Sequence, residues 1–278
     1  MSKKGNFFIL LFSILLSIFL FFSIKEGIIH SDDYVDFLVL GIDSAEGVNA
    51  RADSINLIRV DFSKNKIGIL SIPRDLYVDI PGRGKDKINH SHFFGGPELT
   101  CKTVSNLLGI NIKYYVELNF PMFMKLIDEI GGVDVQVDKP MHYDDYAGNL
   151  HIHLQPGVRK LSGYEAMGFV RFRKDYMSDW GRIERQQVFF RSLFNELAKP
   201  SNFAKYPIII SNISTYISTN LGPTDIVRIS LRGASIFKYG EVKVGHIPGS
   251  DIRINGIYYT IFDKKDLRKV LKETILDI

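Results

Sequence analysis

Three apolar runs near the start of the chain set its architecture. Phe37-Leu38-Val39-Leu40, Ile55-Asn56-Leu57-Ile58-Arg59-Val60 and Ile67-Gly68-Ile69-Leu70-Ser71-Ile72 are short, aliphatic and bounded by polar residues, the pattern of strands. The polar turn Ser63-Lys64-Asn65-Lys66 joins the last two as a hairpin. Beyond them the period changes. Leu99 to Leu108 reads as a helix ended by Gly109, and Tyr114 to Leu118 as a strand. Asn119 caps a predicted helix over Phe120 to Ile130, with Pro121 in its first turn and Gly131 just past its end. Val133 to Val137 alternates as another strand. Ser162-Gly163-Tyr164-Glu165 has the spacing of a capping box, which predicts a short helix running towards Arg171. Ser178 or Asp179 can cap a longer helix carrying Arg182, Arg185, Gln186, Phe189, Phe190, Leu193 and Leu197. Asp263 can cap a terminal one with Leu267, Val270, Leu271 and Ile275. Helices interspersed with strands, and an early hairpin, predict a layered α/β domain with a mixed sheet.

The first residues follow a different rule. Lys3 and Lys4 precede an uncharged run from Phe7 to Ile24, about 18 residues and enough to span a bilayer as a helix. A cleaved signal peptide would have a shorter apolar core and a small-x-small cleavage site, and Phe21-Phe22-Ser23-Ile24-Lys25-Glu26 offers none. The expected organisation is a cytoplasmic tail over 1–6, a transmembrane signal anchor over 7–24, a linker over 25–35 and an extracellular domain over 36–278, oriented by the two lysines. The net charge of +4 includes those lysines, which is too weak for a protein that coats nucleic acid, and no nucleic-acid motif is present. Cys101 is the only cysteine, so no intrachain disulfide can form.

The densest chemistry lies between Arg171 and Gln187. Arg171 and Arg173 alternate and share a side in extended backbone, while Arg182, Arg185 and Gln186 share a helix face. Arginine clamps phosphate oxygens through paired N–H donors, so this cluster reads as a polyanion site, the alternative being surface ion pairs. Asp43 follows an apolar strand and Asp53 opens the next one, so the two carboxylates can converge across the loop between them. With phosphate nearby such a pair suits magnesium; read alone, each aspartate equally well caps a turn. Pro73 ends a strand and projects Arg74, with Asp75 beside it. Lys85 and Lys87 follow on what reads as a charged loop, where Lys85 suits solvent and the reading of Lys87 depends on its neighbours.

Taken in order, Gly-Ile-Asp-Ser, Arg-Ala-Asp-Ser, Ser-Ile-Pro-Arg-Asp, Lys-Ile-Asn-His, Gly-Gly-Val-Asp-Val and Val-Arg-Phe-Arg…Asp-Trp-Gly-Arg-Ile-Glu-Arg-Gln-Gln resemble the LytR-CpsA-Psr family from about Asp36 to Ile257. The resemblance implies a three-layer α/β/α fold with a central mixed sheet, outside the cell, behind one N-terminal transmembrane helix. It implies a magnesium-dependent phosphotransferase that moves a glycopolymer, teichoic-acid-like or capsular, from a polyprenyl-pyrophosphate carrier to peptidoglycan. It implies that Asp43 and Asp53 hold Mg2+, that Arg74, Arg171, Arg173 and Arg182 bind the pyrophosphate, and that Lys87, Asp179 and Gln186 support the pocket. Trp180 stands where the family commonly has Phe.

The chemistry of the residues agrees, because phosphoryl transfer asks for charge neutralisation more than for a protein nucleophile. No Ser-His-Asp or Cys-His set is evident, and Asp75 and Asp179 are the candidate general bases. A polyprenyl chain also needs an apolar channel, for which Phe120, Phe123, Phe189 and Phe190 are candidates, ordinary core packing being the alternative. His151-Ile152-His153 places two imidazoles on one strand face, but with no further His or Cys close in sequence an ordinary strand is the expectation, and Asp144-Asp145 reads as a solvated turn. Two other functions fit the same motifs: a lipid-pyrophosphate hydrolase, or a non-catalytic surface receptor or regulator that binds polyprenyl-linked sugars.

Overall fold

The computed structural model of the chain describes residues 33–42, 50–146, 150–172, 178–197, 217–222 and 240–278, with positions 199, 201, 202, 209, 225, 226, 229 and 236. Residues 34–278 form one compact unit. The Phe7–Ile24 run lies outside the described residues, and among those described no helix is long and apolar enough to cross a membrane.

The expected apolar runs are all strands, and each is longer than its apolar part. They are β1 (Tyr34–Ile42), β2 (Ala52–Asp61) and β3 (Lys66–Ile72). β1 therefore begins inside the expected linker. Asp61 builds the hairpin turn by accepting from the Ser63 and Lys64 amides at 3.0 and 2.8 Å, and Asn65 closes it at a φ of 58°. Then come β4 (Tyr77–Ile80) and β5 (Gly84–Lys87), a hairpin where the sequence reads as a charged loop. Helix α1 (His90–Leu108) starts well before the expected Leu99, with a kink at Gly95 and Gly96 ahead of Pro97. β6 (Tyr114–Asn119), α2 (Phe120–Ile130) and β7 (Val133–Val137) follow as expected, and the Asn119 side chain accepts from the Met122 amide as the cap of α2. Next are β8 (Met141–Asp145), β9 (Leu150–Leu154), β10 (Gly157–Leu161), α3 (Gly163–Arg171) and α4 (Ser178–Leu197). The chain closes with β11 (Ser218–Thr219), β12 (Glu241–His246), β13 (Ser250–Ile254), β14 (Ile257–Ile261) and α5 (Lys264–Leu271), which runs into a wide turn over Lys272–Leu276.

The central sheet has the order β11-β6-β1-β2-β3-β12. β1 with β6, and β3 with β12, pair in parallel, while β2 runs antiparallel to both its neighbours. This is the mixed α/β sheet that the hairpin predicts. Both faces are covered, so alternate side chains enter different cores. Leu38, Leu40, Leu57 and Leu70 pack with Cys101 and Val104 of α1 and Leu267 and Leu271 of α5. On the other face Ile58, Val60, Ile67 and Ile69 pack with Phe190 of α4. A third apolar cluster lies between α2, α3, α4 and strands β7 to β10.

Two details explain residues that break the apolar pattern. Arg59 pairs across the strands with Asp36, with N···O distances of 2.7 and 2.6 Å, and a third nitrogen donates to the Ile275 carbonyl at 3.4 Å. A buried arginine is tolerated only with that degree of pairing. Gly68 lies where a Cβ would stand 2.1 Å from the Thr274 carbonyl, so only glycine lets the C-terminal turn lie on β3. Cys101 is inert, since burial pushes its thiol up to about 12.

Candidate active site

The site gathers where β1, β2 and β3 leave the sheet. Ile42 at the end of β1 pairs with Ala52, so the backbone brings the position before Asp43 beside the position before Asp53. Asp43 itself lies outside the described residues. Asp53 is joined by Arg74, whose guanidinium donates to its Oδ1 at 2.6 Å. Pro73 ends β3 as expected, and the turn after it presents Arg74 and Asp75 together. Asp75 lies 3.4 Å from Arg74 Nε on one side and accepts from Lys87 Nζ at 2.7 Å on the other. Lys87 therefore sits at the end of a strand, held against the site, while Lys85 remains exposed near the Tyr77 ring.

Helix α4 forms the opposite wall. Gln186 Oε1 accepts from Ser54 Oγ at 3.3 Å, Ser54 Oγ accepts from Asn56, and Asn56 Oδ1 accepts from Ser71. This polar chain docks the helix onto β2 and β3 beside Asp53. Arg182, one turn earlier, is buried. Arg185 is buried too, but its guanidinium donates to the Phe172 carbonyl and lies 5.3 Å from the Phe172 ring. It thus fixes the end of α3 instead of lining a pocket with Arg182, as the shared face suggests.

Arg171 is the last residue of helix α3, the short helix that the capping box of Ser162 and Glu165 predicts, so its backbone is helical and not extended. Its guanidinium stacks 4.2 Å from the Phe120 ring centroid, a cation–π contact, and reaches Met167 Sδ at 3.5 Å. Arg173 lies outside the described residues, as do the side chains of Asp179 and Trp180.

The four phenylalanines divide. Phe120, Phe123 and Phe189 belong to the α2–α3–α4 cluster, with Phe123 and Phe189 rings 5.4 Å apart. Phe190 does not join them, since the next position on α4 turns to the sheet core. Consecutive helical residues lie about 100° apart, which is why Phe189 and Phe190 pack into different cores.

Two features escape a reading of the sequence. A cavity of about 110 Å³ opens next to Asp75, lined also by Ile183, Asp251, Tyr258, Tyr259 and Thr260, and Tyr258 is 64% exposed beside it. Beneath the site, His92 Nδ1 bonds the Ala50 carbonyl at 2.8 Å and Nε2 meets Glu117 at 2.7 Å. This buried post holds the residue that follows the 43–49 segment.

His246, at the end of β12, is pushed below the usual imidazole range by burial, with Glu184 pulling the other way. The ring is neutral above about 6.5 whether the chain is folded or not; as pH falls through that value the unfolded chain takes up a proton that the folded chain resists. The thermal midpoint is therefore expected to fall between about pH 7.5 and 5.5, more shallowly in His246→Asn, and an unchanged slope in that variant would assign the loss elsewhere.

Arginine, lysine and carboxylate gathered at the strand ends of a mixed α/β sheet make a charged cluster suited to an anionic ligand. The profile of the LytR_cpsA_psr family matches residues 19–275, and the chain belongs to that family. Regulatory protein MsrR of Staphylococcus aureus (strain COL) is 38% identical over 74% of this chain, which spans only 62% of that relative's length. The polyisoprenyl-teichoic acid–peptidoglycan teichoic acid transferase TagU of Bacillus subtilis (strain 168) is 33% identical over 90% of the chain and 81% of its own length. The crystal structure of B. subtilis TagV superposes with a TM-score of 0.76 at 31% identity, covering 88% of this chain and 98% of that one. TagT with bound octaprenyl pyrophosphate lipid superposes at 0.67 with 29% identity, covering 88% and 90%.

Proposed function

We propose that the chain is a glycopolymer transferase, and more finely a magnesium-dependent phosphotransferase that moves a teichoic-acid-like or capsular polymer from a polyprenyl-pyrophosphate carrier to peptidoglycan. The observation that carries the reading is the Arg74–Asp53 contact at 2.6 Å beside Asp75 and Lys87, a charge-alternating cluster at the strand ends. The likeness to TagU, named for teichoic acid transfer, and to TagT with octaprenyl pyrophosphate bound supports it. The N-terminal apolar run would anchor the chain with its catalytic domain outside the cell, where donor lipid and acceptor wall meet.

Carboxylate oxygens are the donors magnesium takes. Arg74 engages one oxygen of Asp53, so the other stays available, and Ile42, the residue before Asp43, pairs with Ala52, the residue before Asp53. Asp43 and Asp53 would hold the ion, which supplies positive charge to the pyrophosphate oxygens. The chain's own groups do the rest. Arg74, Arg171 and Arg182 bind phosphate oxygens, with Arg173 beside Arg171 in sequence, and they stabilise the charge that develops as the bond to the bridging oxygen breaks and polyprenyl phosphate leaves. Lys87 orients Asp75, and Gln186 seats α4. An acceptor sugar hydroxyl attacks phosphorus, and its proton passes to Asp75 or to water; Asp179 is the other candidate base. The Asp75 cavity, with exposed Tyr258 at its mouth, suits the acceptor side. Phe120, Phe123 and Phe189 offer the lipid an apolar wall.

The test mixes the full chain in detergent with magnesium, a polyprenyl-pyrophosphate glycan and uncrosslinked peptidoglycan. A phosphodiester-linked product is the expected result; free sugar phosphate without linkage would point to a hydrolase, and binding without turnover to a receptor. Arg171→Lys should lower transfer by roughly tenfold or more despite keeping the charge, because lysine has neither the planar fork nor its stacking on Phe120. Transfer at the wild-type rate would reduce Arg171 to diffuse charge.

A further inference from the structure

The β8–β9 hairpin carries a second cluster of metal-ligating side chains that the transfer reaction does not use. Asp144 is not in a turn: it lies in β8 directly opposite His151 of β9, and His142 lies opposite His153. All four residues alternate onto one face of the ribbon, where opposed positions have Cβ atoms about 5 Å apart. The other face is apolar and buried, through Met141, Leu150, Ile152 and Leu154, so the cluster stands on a firm base. The hairpin is also tied to α3, as the His151 amide donates to Tyr164 Oη at 2.8 Å.

Asp144 Oδ1 is the centre of the group. It lies 2.6 Å from His151 Nδ1 and 3.0 Å from His153 Nε2. The three atoms fall within 4.8 Å of one another. Ligands bound to one zinc ion at tetrahedral angles stand roughly 3.3 Å apart, so small rotations of these exposed side chains are enough to open the triangle around an ion.

We propose that Asp144, His151 and His153 form a binding site for a borderline divalent cation, zinc above all, separate from the carboxylates at the strand ends. Two imidazoles and one carboxylate form a nitrogen-rich set that favours zinc over magnesium, whereas the Asp53 end offers oxygen alone. His142 is the positioning residue. It lies 3.3 Å from the far nitrogen, Nδ1, of His153, and Gln155 lies 3.3 Å from the far side of His142. Gln155 Nε2 donates to His142 Nε2, so His142 carries its proton on Nδ1 and points it at His153; turning the Gln155 amide over reverses both bonds, and His153 then donates from Nδ1 to His142 and presents the Nε2 lone pair to the ion, the usual service of an outer partner to a ligating histidine. A bound ion would cross-link two strands at the edge of the α2–α3–α4 cluster, leaving a fourth coordination position to water.

The experiment uses the untagged full chain in detergent, with magnesium in excess. Titration with zinc followed by calorimetry is expected to show one saturable site that persists in Asp53→Asn. His151→Gln and His153→Gln should each weaken it more than His142→Gln, which should cost about tenfold or more. Cobalt loaded in place of zinc should give the strong visible bands of a four-coordinate site, absent from the His151→Gln/His153→Gln double variant. Zinc should raise the thermal midpoint of the wild type and not of that variant. No saturable zinc binding by the wild type, or equal affinity in the double variant, overturns the proposal, and leaves the four residues as a hydrogen-bonded network.

Discussion

Replacing Asp53 by asparagine is expected to abolish measurable transfer, a loss on the order of a hundred- to a thousandfold, while donor lipid still binds. The substitution acts twice. It removes half of the proposed magnesium carboxylate pair, and it leaves only a neutral amide oxygen to accept the 2.6 Å contact that holds Arg74. Asparagine keeps the size of the side chain, so the fold at the start of β2 should persist, and an unchanged thermal midpoint would show that it does. The informative comparison is with Arg74→Ala at several magnesium concentrations. If the carboxylate serves the ion, extra magnesium should partly restore Asp53→Asn and leave Arg74→Ala unaffected. Transfer by Asp53→Asn within severalfold of wild type would remove the metal from the proposed mechanism.

The second large effect is expected far from the charged cluster. Gly163 opens α3, and a Cβ there would stand 2.2 Å from the Met124 carbonyl of α2, against backbone that no rotamer change can move. The same residue's amide donates to Asp128 at 2.7 Å, so the two helices are locked at this point. Gly163→Ala should destabilise the domain by about 1–3 kcal/mol or more by forcing α3 away from α2. The consequence for activity follows from the far end of that helix, because Arg171, proposed above to bind phosphate, closes the last turn of α3 and rests on Phe120, at the start of α2. Transfer should fall further than the unfolded fraction accounts for. Circular dichroism melting and turnover at a temperature where the variant is fully folded separate the two contributions. Normal turnover under those conditions would show that the helix contact does not set the position of Arg171.

Local signals carried much of the fold. The hairpin of β2 and β3, the Asn119 cap, the Ser162 capping box and the Asp263 cap were all legible, because each is decided by neighbours within a few residues. What failed to read was also local in part. Asn255-Gly256, with φ angles of 49° and 84°, is a hairpin turn between β13 and β14, and that residue pair is itself a turn signal. The first turns of α1 were hidden because Gly95-Gly96-Pro97 breaks the helical period within it. The candidate site was legible as residue types and ordered motifs, not as contacts. That Arg74 meets Asp53, that Arg185 turns to Phe172, and that Phe190 leaves its neighbours for the sheet depend on strand register and helix docking, which no window of sequence encodes. Asp144 and the two histidines are only seven and nine residues apart, but they become adjacent only when β8 and β9 pair in the observed register.

The two walls of the site rest on different foundations. Arg74 and Asp75 grow from the sheet over the α1–α5 core, whereas Arg171 and Phe120 belong to the separate cluster of α2, α3 and α4. Between them, near Asp53, runs the polar chain from Gln186 through Ser54 and Asn56 to Ser71. The arginines at the two walls are therefore carried by different cores, Arg74 by the sheet and Arg171 by the helices, and the spacing between them is set by how the two cores meet. A substitution deep in either core can then change that spacing without touching a charged residue.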